Sequence, residues 1–285
     1  MSRPRRVPVH TRAMVERRWP SRYAWIAVLA GGLMLNIAVL VTVIATENPN
    51  FVPALILLGS AFVPATFLAF AAGRTAGWQV SGGLLGFIAL VGGVVGIVFA
   101  GWFEYDEMRE LPWLGVAGVG LIEETAKLVV PVAVLLVAWR RRGGTADGLM
   151  IGMACGLGFA VLETMGYAFV TLIQSKGSIG AVEQILLVRG LLSPAGHTAW
   201  AGLTCAALWT FVIRPGLRTA VAFAATFAGV VILHTAWDGF GNPIAYGVLG
   251  IISVGWLLWR IRRIRLAGEP ATAAPQPVPA AALPL

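Results

Sequence analysis

Glu123, Glu124 and Lys127 stand inside an apolar run of membrane-spanning length, Val119-Gly-Leu-Ile-Glu-Glu-Thr-Ala-Lys-Leu-Val-Val-Pro131. A charged group at the bilayer centre costs at least ~2.5–3.5 kcal/mol on insertion scales, so such groups face a protein interior and mark a functional site. Neighbouring helical residues are ~100° apart around the axis, so Glu123 and Glu124 are not expected to share one task in one place. Lys127 follows the first by four residues and the second by three, within reach of either. One carboxylate can then be paired and kept ionised by Lys127 while the other projects into a cavity as a general base for water. The plainer alternative is a buried ion-pair knot that fixes helix register.

Four more polar groups occur in or at the ends of other apolar runs. Glu163 lies in Gly158-Phe-Ala-Val-Leu-Glu-Thr-Met-Gly166, His197 in Ser193-Pro-Ala-Gly-His-Thr-Ala-Trp200, and His234 and Asp238 in His234-Thr-Ala-Trp-Asp238. Asp238 is one turn after His234 on the same helix face. The chain has 3 histidines, and these two both begin the tetrapeptide His-Thr-Ala-Trp. Taken singly, Glu163 is a proton relay or the partner of Arg189, and either histidine is a core residue bonded to a carbonyl. Taken together, His/His/Glu is the ligand type of a catalytic zinc that keeps water in its fourth position. Bound zinc brings the pKa of that water to ~7, and a nearby glutamate can take its proton. Glu123, Glu124 and Lys127 are therefore the candidate catalytic residues and Glu163, His197, His234 and Asp238 the candidate metal ligands. Asp238 would either ligate or orient a histidine. His-Glu-x-x-His and Gly-x-Ser-x-Gly are both absent, so no soluble-hydrolase pattern contributes.

The elements that must position these groups are membrane helices. Of 285 residues, 58% are hydrophobic and 12% charged, about half the charged share of a soluble domain. The fold class expected is an all-α polytopic membrane helix bundle. About eight spans are expected, at roughly 23–45, 51–72, 79–102, 113–139, 147–172, 184–213, 219–238 and 244–261. Arg74, the Arg140-Arg141-Arg142 cluster, Arg214, Arg218 and the arginines from Arg260 to Arg265 fall on the side of the N-terminal arm. The acidic group Glu104, Asp106, Glu107 and Glu110 falls opposite, so both termini are expected in the cytoplasm. The net charge of +8 thus reads as membrane anchoring and not as nucleic-acid binding. Residues 1–22 form a basic arm, 23–265 one membrane domain with its core at about 113–240, and 266–285 an Ala/Pro-rich disordered tail. The first apolar run is span-length, so no cleavable signal segment is expected. Cys155 and Cys205 read as small core residues, and the Gly82-Gly83/Gly86 and Gly92-Gly93/Gly96 clusters as sites of close helix packing. By helical rise the polar groups lie roughly 5–20 Å below the outer surface, and Pro194 would bend the sixth span just before His197.

The ordered motifs Glu123-Glu124-x-x-Lys127, Phe159-x-x-x-Glu163, His197 and His234-x-x-x-Asp238 resemble those of the PrsW family of intramembrane proteases. That family is related to the CAAX prenyl proteases and bacteriocin-processing enzymes. The resemblance spans about 113–240. The CAAX group has Arg at a longer gap from its Glu pair and His where Glu163 stands, which favours PrsW. It implies a multi-pass protein of the bacterial plasma membrane that cleaves a membrane-tethered protein, in the best-known role an anti-sigma factor. It also implies that Glu123 activates water with Glu124 and Lys127 in support, although either glutamate suits the base. Zinc is the implied cofactor; a glutamate protease with oxyanion-stabilising histidines is the other mechanism. A proton-coupled transporter or channel, or a non-catalytic scaffold, would also use intramembrane Glu, Lys and His. A transporter should show internal repeats, and the duplicated His-Thr-Ala-Trp is too short to be one.

Overall fold

Hydrocarbon offers the backbone no hydrogen-bond partners, so an apolar chain must satisfy its peptide groups within helices. The computed structural model describes residues 22–137 and 143–267, and among these no strand occurs. The arm up to residue 21, the Arg140-Arg141-Arg142 cluster and the tail after Ala267 lie outside the described residues. The described α-helices are α1 (Ala24–Thr46), α2 (Val52–Ala72), α3 (Gly82–Glu110), α4 (Val116–Ala126), α5 (Val129–Val137), α6 (Thr145–Gln174), α7 (Ile179–Leu192), α8 (His197–Ile213), α9 (Leu217–Phe240) and α10 (Pro243–Ala267). Six stretches are long and apolar enough to cross a membrane, namely α1, α2 with its leading turn, α3, α6, α9 and α10.

The fourth and sixth expected spans are not continuous helices. Each is a pair of shorter helices joined at a break, and each break has a local cause. Pro131 lacks an N–H, and its ring collides with the carbonyl four residues earlier, that of Lys127. So α4 ends at Ala126, α5 restarts at Val129, and the freed Lys127 carbonyl accepts from the Cys155 thiol at 3.3 Å. In the sixth span Pro194 confines Ser193–Ala195 to a single 3-10 turn, and Gly196 follows with non-helical φ −103° and ψ −126°. The α-helix restarts with His197 as its first residue.

Helix α6 forms the centre: 78% of its apolar window is buried, against 39% or less for every other such stretch. Glycines let its neighbours come close. A Cβ on Gly148 would strike Trp209, on Gly152 the carbonyl of Ala201, and on Gly156 the carbonyl of His197, so this face is built for α8. On the other face Gly158 meets the Ala89 carbonyl of α3. Of the two glycine clusters on α3, Gly92, Gly93 and Gly96 pack against Cys155, Gly158 and Phe159 as expected. Gly82, Gly83 and Gly86 have open space where a Cβ would go, so that cluster is not a packing site. Cys155 and Cys205 are buried free thiols in one apolar cluster. At one end of the bundle, residues before α1, after α2 and late in α10 line a common cavity of about 640 Å³.

Candidate active site between the two broken helices

Both breaks open onto the same place. Helix α4 delivers Glu123 and Glu124 from its last turn and Lys127 from its C-cap, all buried. The Lys127 Nζ donates to Glu124 Oε1 at 2.7 Å and to Glu123 Oε2 at 3.1 Å. It also lies 2.8 Å from Nδ1 of His197, at the start of α8, and 4.2 Å from the centre of the Phe159 ring. One ammonium therefore bridges both carboxylates. The expectation that Lys127 pairs with one and leaves the other alone is corrected: its reach of three and four residues serves both at once.

The carboxylates also converge on one histidine despite their ~100° separation. His234 presents Nδ1 to Glu124 Oε1 at 2.9 Å and Nε2 to Glu123 Oε2 at 3.6 Å. Its ring is narrow enough to stand between them, and the indole of Trp200 covers it at 4.9 Å between centroids. His197 behaves in parallel, with Nδ1 3.8 Å from Glu123 Oε2 and Nε2 2.9 Å from Glu163 Oε2. The Glu163 oxygen that meets His197 also lies 2.8 Å from Nη2 of Arg189 on α7. Asp238 approaches His234 Nε2 at 3.3 Å, with its side chain one-third exposed.

His197 thus has Nε2 held by Glu163 and Nδ1 turned toward Glu123 and Lys127, and His234 has Nδ1 held by Glu124 and Nε2 turned toward both Glu123 and Asp238. Ligand atoms of Glu123, His197 and His234 all lie within 4.8 Å of one another. Tetrahedral ligands at ~2.0–2.2 Å from a metal are about 3.3–3.6 Å apart, close to the 3.6 and 3.8 Å separating Glu123 from the two histidines. These three residues fit a divalent cation. The cluster shares His197 and His234 with the expected ligand set and adds Glu123, while Glu163 faces the far nitrogen of His197 and Asp238 lies 3.3 Å from His234 Nε2. Which nitrogen of a histidine a carboxylate meets is decided by ring orientation, which the sequence does not carry. Two aromatic residues frame the site, Phe159 under Lys127 and Trp200 against both histidines. The duplicated His-Thr-Ala-Trp is the signal for the second, since Trp237 in turn packs on Trp200. A cavity of about 180 Å³, lined by Glu163, Arg189, His197, Trp200, Trp237 and Tyr246, leads to the polar groups.

The model of the PrsW family of intramembrane metalloproteases matches residues 63–260, well over half of the chain and every residue of this cluster. The chain belongs to the PrsW family. No curated protein and no solved structure matches it. PrsW membership makes the chain an intramembrane protease of a multi-pass membrane protein class, acting on membrane-protein substrate. Both the family description and the Glu/His/His cluster are consistent with a metal.

Proposed function

We propose that this chain hydrolyses a peptide bond of a membrane-tethered protein at the centre formed by Glu123, His197 and His234. The observation that carries this is the state of Glu123. Its Oε2 faces both histidines, while its Oε1 makes no hydrogen bond among the described residues. Glu124, in contrast, has its Oε1 engaged by Lys127 and His234 at once. Glu123 is the carboxylate with an oxygen to offer a water, and Glu124 holds the histidine and the lysine in place. A divalent cation, proposed to be zinc and held by Glu123, His197 and His234, would supply Lewis acidity that polarises the scissile carbonyl and acidifies water. Glu163 orients His197, Lys127 offsets the paired carboxylates, and Asp238 stands at the exposed edge beside His234. A second reading, a glutamate protease without metal, is favoured by one contact: Lys127 Nζ already lies on His197 Nδ1, the atom a cation would use.

Eight crossings, with each broken pair counted as one, would agree with the cavity shared by the α1, α2 and α10 ends, and on that reading both termini lie on one side. We take that side as the cytoplasm of a bacterium, 23–265 as one membrane domain with its core at 113–240, and an anti-sigma factor as the substrate class. The test is co-expression of the full chain with a membrane-tethered substrate. Glu123→Gln and His197→Ala, at matched protein level, should abolish cleavage; undiminished cleavage by either overturns the site. Metal content of the purified chain beside a His197→Ala/His234→Ala double variant separates the two mechanisms.

A further inference from the structure

At the end of the bundle remote from the acidic last turns of α3, a cavity of about 640 Å³ is lined by Arg22, Arg74, Arg262 and Arg265 together with Thr75 and the end of α2. The four guanidinium groups come from three elements, the entry to α1, the exit of α2 and the last turns of α10. No carboxylate lines the cavity, and none forms an ion pair with any of the four among the described residues. Arginines that only anchor a helix reach outward to bulk lipid headgroups; these line a shared concavity, where like charges repel unless an anion joins them.

Two buried groups lack partners here. Nη1 of Arg74 and Oγ1 of Thr75 are buried without a hydrogen bond, and Thr75 is only 2% exposed. A buried donor left unpaired is costly, and more so when it is charged. Arg74 is stacked over the Phe70 ring at 3.6 Å, which fixes the guanidinium plane. A planar guanidinium held in one orientation suits bidentate recognition of a phosphate. Arg262 and Arg265 stand three residues apart and so share a face of α10.

We propose that this cavity binds a phosphate-bearing anion, held by the fork of Arg74 and closed over by Arg22, Arg262 and Arg265. The shared chemistry is a phosphate at the membrane–water boundary, carried either by an anionic lipid headgroup or by free phosphate. The site is separate from the proteolytic centre, and its occupancy would tie together the first, second and last helices of the bundle.

The test uses the full chain in phosphatidylcholine nanodiscs, with native mass spectrometry after addition of phosphatidylglycerol or of inorganic phosphate. Wild type should retain one phosphatidylglycerol per chain over phosphatidylcholine. Retention should fall roughly tenfold or more in Arg74→Gln and in Arg262→Gln/Arg265→Gln. Arginine-dependent binding of inorganic phosphate without lipid selectivity supports the site and assigns it to free phosphate. Equal retention of both lipids together with no arginine-dependent phosphate binding overturns the proposal, as does wild-type retention by both variants. The exposed pair Arg262 and Arg265 carries the test if Arg74→Gln does not fold, with the thermal midpoint in phosphatidylcholine as the folding control.

Discussion

Oε1 of Glu124 lies 2.9 Å from Nδ1 of His234, a contact between residues 110 apart in sequence. The same oxygen accepts from Lys127 at 2.7 Å, so one atom ties the last turn of α4 to α9 and to its own C-cap. With Nδ1 so engaged, only Nε2 of His234 is turned to Glu123. A carboxylate behind a histidine fixes its tautomer and the direction of its free nitrogen.

Glu124→Gln should therefore weaken the site without removing it. Metal affinity and cleavage rate are expected to fall about 10–100-fold, the usual cost of an outer carboxylate, whereas Glu123→Gln should leave no cleavage. Zinc titration of both purified variants, beside cleavage of the same substrate, checks this. Equal loss in the two would merge their roles.

Glu163 is predicted to behave like Glu124 rather than like a ligand, because it lies against Nε2 of His197 while Nδ1 faces Glu123. Glu163→Gln should keep stoichiometric metal with about 10–100-fold weaker affinity. If Glu163→Gln loses metal and Glu123→Gln keeps it, the ligand set reverts to the one the sequence suggests.

Lys127 is 1% exposed and offsets two carboxylates. Removing one partner of a buried pair costs about 3–5 kcal/mol, so Lys127→Met should lower the thermal midpoint in detergent markedly. Adding Glu124→Gln should recover part of the loss. A double variant no more stable than Lys127→Met would mean that the carboxylates do not repel.

Two glycines on α6 should respond in opposite ways. A Cβ at Gly156 would meet the carbonyl of His197, whereas at Gly166 it meets nothing within 4 Å. Gly156→Ala should push His197 away and cut cleavage severely. Gly166→Ala should be neutral or slightly stabilising, as an exposed Gly→Ala change in a helix gains up to ~1 kcal/mol. Cleavage rate and thermal midpoint of both variants read this out.

The helical class and the seven polar residues are legible in the sequence because apolar length and intramembrane charge are one-dimensional signals. Packing is legible only in part: Gly92, Gly93 and Gly96 pack closely, but the equally spaced Gly82, Gly83 and Gly86 do not, since spacing says nothing about which face meets a neighbour. The break at Lys127 has its signal in Pro131, which reads as helix-compatible until its clash with the carbonyl four residues earlier is considered. Glu163 matches its motif, yet the ring orientation of His197 decides which nitrogen it meets: it lies against Nε2, while Glu123 faces Nδ1. That distinction is set by side-chain torsions, which no spacing encodes.

The distance along the chain between Glu124 and His234 also bears on biogenesis. Segment α4 emerges from the ribosome with Glu123, Glu124 and Lys127 able to compensate one another only in part. His234 is made 110 residues later, which at translation rates of about 5–20 residues per second is a wait of roughly 5–20 seconds. During that interval an uncompensated carboxylate makes lipid a poor destination for α4. The segment is expected to stay near the translocation channel until α9 arrives, so that the proposed proteolytic centre and the membrane topology are completed in the same late step.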